Sequence, residues 1–340
     1  MKRTANNVIE PSIQVIAYNK TVMLSTVINN PKIQPDILQK VIRPFVKWAG
    51  GKSQLLGDIR KRYPVNLGMS INKYAEPFVG GGAVLFDILS RYDLDEVYIS
   101  DTNAELIHTY RVLRDNSDNL ISSLLNLQNE YLPGNNDYRK KYFYEMRKRY
   151  NILKAEETLT IEVAALFIFL NRTCFNGLYR VNSKGEFNVP MGAYKNPLIC
   201  NVENLKRVAE SLNRTNVKIV HADYHKSNEF LDSNAFVYFD PPYRPLNGSS
   251  SFTQYTENSF NDDDQIKLAE YIIELSKRGV KVLVSNSDPK NTNPDDSFFD
   301  ELYKGFKINR IPATRMINSN ASSRGEINEL LISNLGDKNE

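Results

Sequence analysis

The stretch Tyr74–Ser90, YAEPFVGGGAVLFDILS, decides the fold. Tyr74 to Phe78 is a short apolar run that reads as a buried strand; it passes through Gly80, Gly81 and Gly82 into an apolar helix from Ala83 to Ser90. A second strand, Val97 to Ser100, ends in Asp101 and hands over to a helix from Asn103. Strands alternating with helices imply a parallel sheet covered on both faces, an α/β architecture of the Rossmann-like kind. Upstream, SQLLGDIRKRY after Lys52 is expected to be a helix. Downstream, Lys218 to Ala222 is a strand ending in Asp223, Phe236 to Phe239 one ending in Asp240, and Lys281 to Ser285 another. Phe306 to Ile311 and Glu329 to Ser333 read as a closing antiparallel pair. Between the second and third strands the texture changes. Asn116 to about Leu170 is helical and charged, and Asn171 to Pro197 is rich in Gly, Asn and Pro with aromatics and Arg interleaved. The expected organisation is an N-terminal extension over residues 1–42, a sheet domain over 43–115 and 198–340, and a mainly helical inserted domain over 116–197.

With 340 residues, 41% apolar and 24% charged, the chain can bury a sizeable core. A net charge of +3 does not announce a nucleic-acid binder, although such an average hides a local basic cleft. Cys174 and Cys200 have no metal-ligand spacing and do not pair with His108, His221 or His225, so neither a metal site nor a disulfide scaffold is expected. No run reaches membrane-span length, and MKRTANNVIEP opens no signal-peptide core. A cytoplasmic protein with no membrane partner is expected.

Three acids stand at strand ends: Asp101, Asp223 and Asp240. Ligands of open parallel sheets bind at that edge. A glycine turn lets backbone approach a ligand, and an acid at the end of the next strand suits ribose hydroxyls, which places Asp101. The turn lacks the full GxGxxG fingerprint, which favours a ligand without a pyrophosphate. Gly50-Gly51-Lys52-Ser53 is no phosphate loop, because Val46 stands where that motif needs glycine. A turn with Ser53 as helix cap is the plainer expectation.

Asp240-Pro241-Pro242-Tyr243, after the apolar run Phe236–Phe239, is the most specific signal. Two prolines remove two backbone donors and leave carbonyls beside a carboxylate and an aromatic ring. Acceptors with a stacking face are what a conjugated exocyclic amine needs. The Asp240 carboxylate and Pro241 carbonyl would hold its two hydrogens, freeing the nitrogen lone pair for a sulfonium methyl, with Tyr243 stacked on the base. Catalysis would rest on positioning and electrostatics, without metal or covalent enzyme intermediate.

At this point the chain resembles the Dam-like, DpnII-type adenine-specific DNA methyltransferases that act on GATC. The likeness spans roughly Arg43 to Asn334 in family order: FVKWAGGKSQLL from Phe45, AEPFVGGGAVLF from Ala75, SDTNAELI from Ser100, NGLYRVNSKGEFNVPMGAYKNP from Asn176, HADY from His221, YFDPPY from Tyr238, LVSNS from Leu283 and SSRGEINELLISN from Ser322. The resemblance implies a Rossmann-like S-adenosylmethionine-dependent methyltransferase sheet with 116–197 as target-recognition domain. It implies that Trp48 and Lys52 contact the cofactor, that Phe78, Gly80 and Gly82 wrap its methionine part, that Asp101 holds the ribose, that Asp223 and Tyr224 face its adenine, and that Asp240 touches cofactor and target base. The partner would be double-stranded DNA, with the target base flipped out and Phe175-Asn176-Gly177 wedged into the duplex. Leu178, Arg180 and Pro190 would read the site, and Lys47 its outer guanine. One monomer would serve each strand, without an obligate protein partner.

The chain departs from the family in Ala193, where many relatives carry Arg, and in the extension before Arg43, within which Met23 is a possible start. Tyr138 to Tyr150, YRKKYFYEMRKRY, reads as a solvated helix face with a buried aromatic stripe, and Arg315 to Arg324 as a polar loop suited to closing over DNA. Competing readings are the same chemistry at another site or on cytosine, an inactive DNA-binding regulator, and an RNA or protein-glutamine methyltransferase.

Overall fold

The computed structural model describes residues 41–157, 159–244, 260–314 and 326–335. The extension up to residue 40, with Met23, and the loop Arg315–Arg324 lie outside them. A seven-stranded sheet organises the described residues: β1 (Lys73–Glu76), β2 (Glu96–Asp101), β3 (Asn216–His221), β4 (Ala235–Phe239), β5 (Lys281–Ser287), β6 (Lys307–Thr314) and β7 (Glu326–Ser333), in spatial order β3-β2-β1-β4-β5-β7-β6. The first five are parallel, and β7 runs antiparallel between β5 and β6, so the closing pair is as the sequence implies. The order turns back between β1 and β4, which makes their C-terminal ends the switch point where ligands of such sheets bind.

Period-two alternation splits the strand residues between two apolar layers. Tyr74, Val97, Ile99, Phe236, Tyr238 and Leu283 face one, and Ala75, Tyr98, Val237, Phe239, Val282 and Val284 the other. The second layer is closed by α8 (Asp262–Lys277), through Leu268, Ala269, Ile272 and Leu275, and an Asn261/Asp264 capping box starts that helix. The first continues through α2 (Ala83–Leu89), α3 (Ala104–Asp115) and α7 (Val202–Arg214) into the inserted helices α4 (Ser117–Tyr131), α5 (Asn136–Ala155) and α6 (Ile161–Thr173). Helix α6 is apolar all round, IEVAALFIFLNRT, and is buried against α3, α4 and α5 accordingly. On α5, Tyr142, Phe143 and Tyr150 are buried while Lys140, Lys141 and Lys148 are exposed, which is the aromatic stripe with a solvated face.

Three local expectations need correction. β1 ends at Glu76 rather than Phe78, because Pro77 has no N–H for the ladder. The stretch after Lys52 is not one helix but a 3-10 turn, Lys52–Gln54, followed by the short α1 (Leu56–Arg60). Neither piece has a side-chain cap, and Pro64 soon follows. Ser53 is exposed and caps nothing; Gly51 holds the capping position, and the side chain that matters there is Lys52.

Candidate active site

Strand β4, AFVYF, is buried along its whole length and delivers Asp240 to the sheet edge. Lys52 Nζ lies 2.8 Å from Asp240 Oδ1; the lysine side chain is 4% exposed and the carboxylate 20%. Lys52 also donates to the Gly50 carbonyl and sits 4.6 Å from the centre of the Tyr243 ring. The Tyr243 hydroxyl donates to Glu329 Oε2 at 2.6 Å. Burial pushes the Asp240 carboxyl up to about 6, against the pull of Lys52 and with a further push from Glu329.

The turn is held by amides arriving from elsewhere. Gln265 Nε2 donates to the Pro242 carbonyl at 3.0 Å, and Gln265 Oε1 accepts from Asn286 Nδ2 at 3.0 Å. Asn286 Oδ1 accepts the Arg244 N–H at 3.2 Å, and Ser287 Oγ donates to the Arg244 carbonyl at 2.8 Å. The Arg244 guanidinium is fixed by Asp262 and Asp296 and lies over Phe298. Gln265 and Asn286 are both buried and use their amides on this turn and on each other. Among the described residues no hydrogen bond engages the Pro241 carbonyl. The turn thus presents, among the described residues, one carboxylate, paired only with Lys52, and one carbonyl without a donor.

Between β1 and α2, Gly80 takes φ +47° and Gly82 φ +73°, both left-handed. The Gly80 N–H donates to Asp101 Oδ2 at 3.1 Å and the Asn103 N–H to Oδ1 at 2.9 Å. Burial raises the Asp101 carboxyl, and these backbone donors oppose the rise. A Cβ on Gly80 would lie 2.7 Å from the Trp48 ring, so glycine is what lets the indole close on the turn. The Tyr110 hydroxyl, below Gly82, donates to the Gly80 carbonyl at 3.1 Å. Glu76, at the end of β1, is buried, accepts from the Tyr74 hydroxyl at 2.6 Å, and is pushed well above the usual carboxylate range by burial, with a further push from Asp240. Phe78 stacks on Tyr224 at 5.6 Å, and Asp223 Oδ1 accepts the His225 N–H at 2.8 Å, capping the turn after β3.

The Phe175–Pro190 segment is the second cluster. Phe175 is 51% exposed although its N–H is tied to the Pro190 carbonyl at 2.8 Å. Asn176 is left-handed at φ +55°, a conformation asparagine tolerates better than most side chains, so the turn throws Phe175 outward. Gly177 follows at φ +64°, where a Cβ would strike the Lys47 side chain. Arg180 Nε donates to Asn188 Oδ1 at 2.8 Å, and its terminal amines carry no bond among the described residues. Leu178 is half-buried and Pro190 exposed. Lys47 Nζ lies 4.1 Å from the Tyr194 ring centre. Cys174 is buried beneath the turn, Sγ donating to the Leu178 carbonyl at 3.3 Å, and burial pushes its thiol up to about 11, so it acts as packing.

Sequence reading missed Asn171. Buried at the end of α6, it accepts the Lys47 N–H at 2.7 Å and donates to the Lys47 and Gly177 carbonyls at 2.8 and 3.0 Å. One amide therefore ties the Phe175 turn to the segment that continues through Trp48 to Lys52 and Asp240. An asparagine inside the apolar run FIFLN is the signal that could have found it. Glu76, Gln265, Asn286 and Glu329 went unnoticed as well.

A parallel sheet with a glycine turn after β1, a carboxylate after β2 and an Asp-Pro-Pro-Tyr turn after β4 defines an α/β methyltransferase acting on an amino group. The chain belongs to the D12 class of N6 adenine-specific DNA methyltransferases, whose family profile matches residues 48–317. It is similar to the Type II methyltransferase M.MjaIII of Methanocaldococcus jannaschii, 49% identical over 86% of this chain and 99% of that one. It is similar too to the Type II methyltransferase M1.LlaDCHI of Lactococcus lactis subsp. cremoris, 40% identical over 87% and 96%. The DNA adenine methylase of Escherichia coli K12 is 35% identical over 85% and 94%. The protein is thus an adenine-specific DNA methyltransferase, and its substrate is double-stranded DNA.

Proposed function

We propose that the protein takes a methyl group from S-adenosylmethionine and places it directly on adenine N6 within GATC, after flipping the adenine out of the duplex. The observation that carries this reading is the Asp240 turn, whose Pro242 and Arg244 carbonyls are spent on Gln265 and Ser287 while, among the described residues, the Asp240 carboxylate and Pro241 carbonyl face no backbone donor. The Gly80–Gly82 turn fits the cofactor. Its three glycines bring no side chain to the sheet edge, Trp48 packs against Gly80, and Asp101 lies at its mouth for paired hydroxyls. Phe78, Gly80, Gly82 and Trp48 would hold the methionine part, Asp101 the ribose, and Asp223 and Tyr224 the adenine. The bound cofactor supplies a methyl on cationic sulfur, electrophile and leaving group together.

The chain's own part is positioning. Asp240 and the Pro241 carbonyl accept the two amino hydrogens, Tyr243 flanks the base, and Lys52 must leave Asp240 or shift along it as the amine arrives. Target recognition falls to 116–197. Phe175 is the wedge, exposed and pre-set by the left-handed Asn176, and Arg180, held at Nε by Asn188, offers a guanine the terminal amines that carry no bond among the described residues. Leu178 and Pro190 meet apolar base edges, and Lys47 reads the outer guanine. GATC itself rests on the resemblance of these positions. A monomer in the cytoplasm, needing no metal and no protein partner, completes the proposal. Among the described residues no helix is long and apolar enough to cross a membrane.

Methyl incorporation into duplex oligonucleotides bearing GATC or each single-base change tests the proposal. GATC should be preferred strongly, and equal incorporation into all duplexes would refute the site. Arg180→Ala is expected to shrink the preference at one base pair by about 1–3 kcal/mol, roughly five- to 150-fold, with a smaller loss of maximal rate on GATC. The ionised Asp240 carboxylate is the form that accepts the amino hydrogen, so kcat/KM should be level above the Asp240 carboxyl's value of about 6 and fall about tenfold per pH unit below it. A flat kcat/KM profile from pH 7 down to about 5 would count against Asp240 as the ionised acceptor.

A further inference from the structure

We propose that Tyr179 is a positioning residue that couples the recognition turn to the cofactor pocket, so that a correctly read DNA site tightens the hold of Trp48 on the cofactor. The inference rests on the functional reading above and deepens it. Tyr179 lies between Leu178 and Arg180, the two side chains assigned to base reading, yet its own ring turns inward. There it stacks on Trp48, with ring centres 5.9 Å apart and planes 23° from parallel. Phe167 of α6 lies against both rings, at 6.3 Å from Trp48 and 5.5 Å from Tyr179. Trp48 also meets Gly80, whose N–H binds Asp101. Recognition loop, Tyr179, Trp48, Gly80 and Asp101 therefore form one unbroken series of contacts.

Two features make Tyr179 more than packing. Its hydroxyl is fixed between Lys154 Nζ at 3.1 Å and Glu105 Oε2 at 3.2 Å, and those two groups pair at 2.8 Å with side chains 19% and 12% exposed. These bonds set the orientation of the ring over Trp48, and the stack itself is the contact through which a shift of the loop reaches the indole. The second link is the backbone: Asn171 holds Lys47 and the Gly177 carbonyl in one amide, so the residue before Trp48 moves with the turn before Leu178. A series of contacts is not itself a coupling. The coupling is what experiment must read, and linkage requires it to be reciprocal: if the cognate duplex tightens the cofactor, the cofactor tightens the cognate duplex by the same factor.

Trp48 is the chain's single tryptophan, so indole emission reports the surroundings of this one residue. The full-length protein would be titrated with S-adenosylhomocysteine, which cannot react, in the presence of two duplexes of equal length. One carries the site that methyl incorporation shows the protein to modify, and the other lacks it. A wrong GATC assignment would then appear in the incorporation arm and leave the fluorescence arm intact. The cognate duplex should tighten S-adenosylhomocysteine by about fivefold or more relative to the other duplex, with a distinct change in Trp48 emission. Tyr179→Leu should bring that ratio close to one, whereas Tyr179→Phe, which keeps the stack, should hold it within about twofold of the wild type. A residue that only packs would lower the melting temperature and leave the ratio untouched. Equal cofactor affinity with the two duplexes in the wild type would overturn the proposal, as would a folded Tyr179→Leu protein that keeps the ratio. Should Tyr179→Leu fail to fold, the wild-type ratio and Tyr179→Phe decide, since loss of the ratio in Tyr179→Phe would contradict a coupling carried by the stack.

Discussion

Asp240→Ala is expected to lower the single-turnover rate of methyl transfer by at least about a thousandfold, while cognate DNA still binds. The magnitude follows from what the carboxylate does. An exocyclic amine conjugated to its ring is a poor nucleophile until acceptors hold both hydrogens, and removing one preorganised partner from such a site costs about two to three orders of magnitude on its own. The substitution has a second effect, on stability: Lys52, 4% exposed and paired with Asp240 at 2.8 Å, is left a buried cation without its counter-charge. Asp240→Asn separates the two effects. It keeps the volume of the side chain and removes the charge, so it should lose most of the rate with a smaller loss of stability. The proof is rapid-quench methyl incorporation at saturating cofactor and DNA, alongside duplex affinity. Near-normal rates for Asp240→Ala would remove the amine-acceptor role altogether.

Gly82→Ala carries the second large effect, a destabilisation of about 2–4 kcal/mol together with weakened cofactor binding. The residue starts α2 at φ +73°, where a side chain costs about 1 kcal/mol or more from the backbone alone. Its added Cβ would lie 2.4 Å from the Tyr110 hydroxyl and 2.9 Å from Phe86. Tyr110 and Phe86 are fully buried, so neither can swing aside, and moving Tyr110 also breaks its bond to the Gly80 carbonyl. Gly185→Ala is the control: it too sits at positive φ, +76°, but its Cβ would meet nothing within 4 Å. Urea midpoints should fall far more for the first than for the second. Equal shifts would mean that backbone strain, and not the Tyr110 overlap, explains why glycine is needed.

Much of this site was legible in sequence because its signals are local. An apolar strand running into Asp240-Pro241-Pro242-Tyr243 carries its meaning within eight residues, and the Gly80–Gly82 turn does so by glycine's freedom. Strand termini were legible within two residues for β1 to β5, where Pro77 ends β1 at Glu76, whereas the closing pair is longer than its apolar runs: β6 continues to Thr314 and β7 begins at Glu326, three residues beyond each expected bound. The supporting groups were not legible, because tertiary packing brings them in. Glu329 reaches Tyr243 from 86 residues along the chain, and Gln265 and Asn286 close on the turn from α8 and β5. Asn171 serves a backbone segment 124 residues away. Ser53 shows the opposite failure: a serine after two glycines looks like a cap, but the ion pair that Lys52 makes across the fold decides that turn.

The measurement that meets the central claim most directly is a methylation-protection assay. Plasmid DNA is incubated with the purified protein and S-adenosylmethionine, then challenged with one nuclease blocked by adenine methylation in GATC and another that requires it. Resistance to the first together with cleavage by the second is the predicted result, and it establishes substrate, atom class and site at once. Plasmid that stays open to the first nuclease and closed to the second, while labelled methyl enters DNA, would contradict GATC as the site; if no label enters DNA at all, the account of Asp240 as the heart of an active methyltransferase is wrong.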